Sequence, residues 1–400
     1  MNKQTLLIVL IGLGLRLFLI FPGPLTSKVD TLVNWADLRN YYWPAQAALT
    51  GANPYALWAN GQSGEFRADM EPLELLVYTA TVAVWNDMRA IQVLFALFDA
   101  LNIALLGILL KGSPRRLPFQ VFYALGPLTV YNLALVAEDK TIVLTLTFAL
   151  FYLLTLPRDL PWRVSPGTLA VIVAALIGSF KWISVFFLLP LLLFVSRDGR
   201  ALVKNGLLFA AVVALSHLPW IPAWLYIYEF RFTRVNAPMH VSLSALLNAL
   251  GLFNRTAIFG VAVIAILAIY ALFWFKRIDI FEAIALSVMV GVLWTPDMDP
   301  VHLSLVVILL LLVVDWTSRM RWLTIWGLSA WVAAVYAIST RTGYARYGLP
   351  DLQRLTGAYG SPQMIVWSYL LFLAVFAFYV YDKLRGRAVG QQVLVSRLEQ

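Results

Sequence analysis

The chain contains no cysteine among its 400 residues. That excludes disulfides, iron–sulfur clusters and thiolate metal sites, and leaves the redox compartment open. Histidine occurs only at His217, His240 and His302, scattered and with no H-E-x-x-H, so there is no zinc pattern. Walker and dinucleotide-binding glycine patterns are also missing, which argues against nucleotide-driven pumping by this chain alone. Charge is scarce. The 13% of charged residues is about half of what a water-exposed surface needs, which excludes a soluble domain. Strand alternation of the membrane-barrel type, internal repeats, low-complexity segments and a soluble second domain are all absent from the pattern.

What is present is apolar: 61% of residues are hydrophobic and the mean hydropathy is +0.79. Runs of roughly 17 to 22 apolar residues recur from end to end, each able to cross about 30 Å of hydrocarbon as a helix. The expected fold is therefore an all-α polytopic membrane protein with about twelve spans. They fall near 5–21, 90–110, 118–136, 141–156, 167–180, 182–195, 206–218, 256–275, 279–294, 301–315, 322–339 and 363–381. The N-terminal "MNKQTLLIVLIGLGLRLFLIFPGP" has a basic start but no small-residue cleavage site after it, so it reads as a retained first span.

The net charge of +9 is distributed by membrane side, which argues against a nucleic-acid partner. The short loops "KGSPRR", "PRDLPWR", "SRDGRALVKN", "KR" and "DWTSRMR" and the tail "DKLRGR" are basic, placing them and both termini in the cytoplasm. The long loops 22–89, 219–255 and 340–362 lie outside and hold most of the acids. One run, "PLELLVYTATVAVW" (72–85), is too short for a full span and reads as an interfacial or re-entrant helix on the outer face. The organisation is one membrane unit over 1–400, with interfacial helices in the first outer loop, 22–89, and a cytoplasmic tail, 382–400.

Polar groups beside spans are costly and make functional candidates, although many only mark where a helix meets water. Asp37, Glu138, Asp139, Asp297, Asp299, His240 and His302 fall on the outer side, and Asp99 alone lies well inside a span. In "DLRNYYWPAQAALTGANPY" (37–55), Pro44 suits the first turn of a helix over 44–50 and Gly51 suits its stop. Trp35, Tyr41, Tyr42, Trp43, Tyr55 and Trp58 are ring types that settle at the headgroup level and also make sugar platforms. An aromatic belt has no use for Asp37, however. A carboxylate one helical turn before a tyrosine pair is placed as a general base would be.

In "AEDKTI" (137–142), Asp139 is either the N-cap of the next span, or projects with Glu138 and Lys140 into an outer cavity. Lys181 at the end of a helix pair either holds a phosphate or snorkels. Arg231, Arg234 and His240 make a basic outer loop suited to a lipid-phosphate headgroup. Asp297 and Asp299 in "TPDMDPVH" have the spacing of a divalent-ion pair but equally that of a tight turn, so no metal or other cofactor is assigned.

These residues resemble the membrane-embedded C-type glycosyltransferases, especially glycosyltransferase family 87 and the GPI-type mannosyltransferases. Asp37, Tyr41, Tyr42, Gly51, Pro54 and Tyr55 match that family's first outer loop; "AEDKTI" stands where it has an acidic outer turn and "KWISVFFLLPLLLF" where it has Lys-x-x-Pro. The likeness covers roughly residues 1–200, with a fainter echo at "NAPMHVSLSALL". It departs at Trp35, where the GPI-type enzymes have a first acid, and at Glu71, where the family has a proline. The resemblance implies the C-type glycosyltransferase fold. It also implies inverting transfer of a hexose, mannose favoured, from a polyprenyl-phosphate sugar to a lipid or lipid-linked acceptor at the outer face of a prokaryotic plasma membrane. Asp37 would be the base, Lys181, Arg234, His240 and, more weakly, His302 would surround the phosphate, and Tyr41, Tyr42, Tyr55, Glu138 and Asp139 would shape the sugar site. The rival readings are a polytopic transporter or lipid flippase, which would show a two-fold repeat, and an assembly subunit.

Overall fold

A computed structural model of the protein describes residues 2–21, 35–64, 66–157, 164–221, 223–225, 239–240, 242–294, 297–298, 300–314, 318–340 and 350–385. In chain order the helices are α1 (Lys3–Ile20), α2 (Trp35–Leu49), α3 (Pro54–Ala59), α4 (Pro72–Val84), α5 (Met88–Leu109), α6 (Arg116–Leu125), α7 (Pro127–Thr129), α8 (Lys140–Leu154), α9 (Pro166–Phe180), α10 (Leu188–Val195), α11 (Gly199–His217), α12 (Leu243–Ala249), α13 (Arg255–Trp274), α14 (Ile280–Leu293), α15 (Pro300–Val313), α16 (Arg319–Thr340), α17 (Pro350–Thr356) and α18 (Pro362–Leu384). Among the described residues the only sheet is a two-residue parallel bridge, in which Met239 pairs with Asp297 and His240 with Met298.

Among the described residues six helices, α1, α5, α11, α13, α16 and α18, are long and apolar enough to cross a membrane, and six further apolar segments are shorter, at 10–17 residues. On α13 the apolar surface faces outward: Phe259, Ile264 and Leu267 are more than half exposed, an arrangement that hydrocarbon tolerates and water does not.

Three expected elements differ. Helix α2 runs through Pro44 instead of starting there, because its other turns pack along α4 and outweigh the one hydrogen bond that the proline cannot donate. Its end is as expected: Gly51 at φ +82° lets the Ala52 N–H close back on the Ala47 carbonyl at 3.0 Å. The expected span 118–136 is not one rod. Pro127 forces Gly126 into an extended conformation, so α6 stops, a single turn follows, and Val130–Leu135 is π-helical. The segment after Lys181 opens as a 3₁₀ turn, Trp182–Phe187, before becoming α10.

The chain divides into two compact units. The first comprises Met1–Leu105, Leu133–Leu188 and Leu192–Thr233. In it α8 packs on α9, α9 on α11, and α2 lies along α4. Its interior contains Arg16 of α1, which places Nε 2.6 Å from Oδ2 of Asp99 on α5 with neither side chain exposed. Thr141 donates to the other carboxylate oxygen of Asp99 at 2.6 Å, and Asn102 donates to the Thr141 carbonyl at 2.9 Å. A charge inside a span is thus paired across helices, as its desolvation cost requires.

The second unit comprises Leu106–Asn132, Leu189–Leu191 and Arg234–Gln400. Helix α15 is its centre: Val306, Val307, Ile308, Leu309, Leu310 and Leu311 are all 0% exposed, as expected of a helix that is apolar all round and packed by α14 and α18.

Candidate functional site

Among its described residues the first unit gathers six ionisable acid and lysine side chains around the start of α4. Glu71 is the N-cap of α4 and Glu74 lies in its first turn, three residues on, and both are fully buried. The turn that faces them follows the π-helical stretch. Ala137 takes φ +59°, a left-handed conformation costing a non-glycine residue about 1–2 kcal/mol, and Glu138, Asp139 and Lys140 follow at once. Lys181, extended at the end of α9, reaches both parties: its ammonium is 2.6 Å from Oδ2 of Asp139 and 3.1 Å from Oε2 of Glu74. Lys140 pairs with Oδ1 of Asp139 at 2.7 Å and with Glu138 at 2.8 Å.

These contacts set the protonation states. Burial raises the Glu74 carboxyl to about 8; Lys181 opposes that shift and Asp139 reinforces it, so at neutral pH Glu74 keeps its proton. Burial also works against the charge on Asp139, but Lys140 and Lys181 outweigh it and hold that carboxyl below the usual range. Lys181 is likewise penalised by burial and rescued by Asp139 and Glu74, so its pKa moves up. The cluster is then three carboxyl groups, one of them neutral, against two ammonium ions, a balanced set that a low-dielectric site can hold.

Aromatic side chains connect this cluster to α2. Tyr78 donates to Oε1 of Glu74 at 3.0 Å, and the ring of Tyr41 lies 5.0 Å from that of Tyr78. The phenol of Tyr41 is pushed well up by burial, then by Glu138 and Asp139, with a smaller contribution from Asp37, so it stays a neutral donor. Asp37, one turn earlier on α2, is half-buried.

Glu71 has a separate set of partners. Its Oε1 accepts from the Trp182 indole at 2.7 Å and its Oε2 from the Trp224 indole at 3.2 Å. His217 Nε2 lies 3.4 Å from the same Oε2, and His217 Nδ1 is 2.7 Å from the Val213 carbonyl.

The residues expected from sequence separate accordingly. Glu138, Asp139 and Lys181 come together with Tyr41 beside them, and Asp37 lies one turn before Tyr41 on α2, adding to the rise of its phenol pKa. Asp139 does not act as an N-cap with its side chain; it pairs with ammonium ions instead. Glu138 and Lys140 are 3% and 6% exposed, so they close onto each other and Asp139 and do not project into an open cavity. Lys181 is not a free cation awaiting phosphate, since two carboxyl groups occupy it. Tyr55 is 0% exposed, donates to the Met70 carbonyl at 3.2 Å and packs against Trp220, which makes it core and not a sugar platform. Tyr42 turns away from the cluster to Asn86, at 2.9 Å, and Gln46. His302 lies on α15 in the second unit.

Arg231, Arg234 and Asp299 lie outside the described residues, as do the side chains of Trp35, His240 and Asp297. No group of three or more metal-ligating side chains occurs among the described residues. Sequence reasoning passed over Glu71, Glu74 and His217 as site members. The signal for the first two was the i, i+3 pair of acids opening an apolar run in "MEPLELLVY".

No family model matches the sequence, and neither does any curated protein.

Proposed function

We propose that the protein is an inverting, membrane-embedded glycosyltransferase that moves a hexose from a polyprenyl-phosphate sugar to a lipid or lipid-linked acceptor. About twelve crossings, made by the six long helices, five of the shorter apolar segments and the interrupted stretch 118–136, would keep both termini in the cytoplasm and put α2 and α4 at the outer face of a prokaryotic plasma membrane. The observation that supports this reading best is the placement of Asp37 one helical turn from Tyr41, whose ring packs on Tyr78, the phenol that donates to Glu74 of the buried acid–ammonium cluster.

In the proposed reaction the acceptor hydroxyl oxygen forms a bond to the sugar C1 as the bond from C1 to the phosphate oxygen breaks. Its proton passes to the Asp37 carboxylate, and the electron pair leaves with polyprenyl phosphate. A positioned base of this kind contributes about 10²- to 10⁴-fold. Arg234 and His240 remain the proposed partners of the leaving phosphate, and Tyr41, a neutral phenol, would donate to a sugar hydroxyl.

A second reading, a polytopic transporter or lipid flippase, draws on the buried Glu74–Lys181–Asp139 group, because buried ionisable residues in membrane proteins also line transport pathways. One assay separates the two. Purified full-length chain is incubated with a polyprenyl-phosphate mannose and a panel of lipid acceptors, and products are read by mass analysis. Glycosylated acceptor from wild type and none from Asp37→Asn supports transfer. No product from either, together with lipid movement across proteoliposomes, supports transport.

A further inference from the structure

Trp182 combines two properties that do not usually occur together. The residue is 37% exposed, whereas its indole N–H points inward and donates at 2.7 Å to Glu71, a carboxylate that is itself 0% exposed. A tryptophan serving a membrane–water belt uses the opposite arrangement, with its apolar body in hydrocarbon and its N–H toward the wet side. Here the polar handle is consumed inside the protein, and the exposure of the residue is not spent on its N–H. The hydrogen bond, to an acceptor also gripped by Trp224 at 3.2 Å, restricts rotation of the ring. The preceding residue is Lys181, a quarter exposed and tied to Glu74 and Asp139. Chain connectivity thus sets a fixed π-face beside a charged, hydrogen-bonding group.

That pair of surfaces matches a pyranose ring. One face of a hexopyranose presents C–H groups that sit on the negative face of an aromatic ring, while its hydroxyls need charged or neutral hydrogen-bond partners at the edge. We infer that Trp182 is the platform on which a hexopyranose ring of the substrate stacks, and that Glu71 is a positioning residue which holds the platform through the indole N–H. This rests on the sugar-transfer reading, and it extends that reading to a side chain none of the sequence motifs singled out.

The test is the affinity contributed by the sugar, measured by calorimetry on full-length protein in nanodiscs. One arm compares a polyprenyl-phosphate mannose with the same polyprenyl phosphate lacking the sugar. The other compares an alkyl mannoside with the bare alkyl alcohol. Trp182→Ala is expected to cut the sugar-dependent gain by about tenfold in one arm, and the arm affected tells a donor sugar from an acceptor sugar. Trp182→Phe, which keeps a ring but no N–H, should lose about half of that effect on the logarithmic scale. Glu71→Ala should behave like Trp182→Phe, and Glu71→Gln, which keeps an acceptor for the indole, should restore the gain.

An unchanged sugar-dependent gain in both arms for Trp182→Ala or, should that variant not fold, for Trp182→Phe overturns the assignment, as does a wild type that shows no gain in either. Sugar-dependent binding lost in Trp182→Ala while wild type makes no transfer product leaves the platform standing and removes the transfer reading. Product formed by Trp182→Ala at wild-type kcat and KM does the reverse.

Discussion

Lys181 and Asp139 meet at 2.6 Å although they lie on different helical segments, and Lys181 touches Glu74 with the same ammonium. One cation therefore bridges an ionised carboxylate and a protonated one, and offsets the single negative charge that the two acids carry between them. Lys181→Met is expected to leave Asp139 with Lys140 alone and to lower the unfolding midpoint sharply, whereas Lys181→Met combined with Asp139→Asn should recover much of the loss. The measurement is thermal unfolding of the two variants in one detergent; equal midpoints for single and double variants would contradict the pairing.

The protonation of Glu74 makes stability depend on pH with a definite sign. Its carboxyl is raised from 4.5 to about 8, so between those values the folded chain holds a proton that the unfolded chain has released. The stabilisation is complete below about pH 4.5 and is lost as pH rises through about 8. Glu74→Gln, which mimics the neutral acid, should flatten that decline. Unfolding midpoints taken from pH 5 upward check this, and a variant that loses stability with pH as steeply as wild type would refute it.

The Arg16–Asp99 pair is fully buried, and removing one partner leaves an uncompensated charge. Asp99→Ala should cost about 3–5 kcal/mol, while Arg16→Met with Asp99→Leu should cost far less. Denaturant titration of single and double variants gives the coupling directly.

Ala137 sits at φ +59° immediately before the acidic turn. Ala137→Gly removes the Cβ penalty at the expense of a looser unfolded chain, for a net gain of about 0.5–1 kcal/mol. A measured destabilisation would mean that the turn is not left-handed there.

Under the proposed sugar-transfer function, Asp37→Asn should slow transfer by about 10²- to 10⁴-fold while leaving affinity for a polyprenyl-phosphate sugar within a factor of about two. Full activity in this variant would move the base elsewhere.

Much of the helical frame follows from local sequence. Apolar run lengths place the long helices, Gly51 ends α2, and Ser165, Asp198, Asn254 and Ser361 each cap the helix that follows, because all of these act over a single turn of chain. The break at Gly126–Pro127 was equally local and visible as a dipeptide, but apolarity alone does not show it. What sequence could not assign was partnership. Glu71 meets Trp182 and Trp224 across 111 and 153 residues, and Arg16 meets Asp99 across 83. Helical periodicity says which face a residue occupies and nothing about which distant face it meets. That choice is made when whole helices pack, and the cost of leaving a buried charge alone then decides which acid pairs with which base.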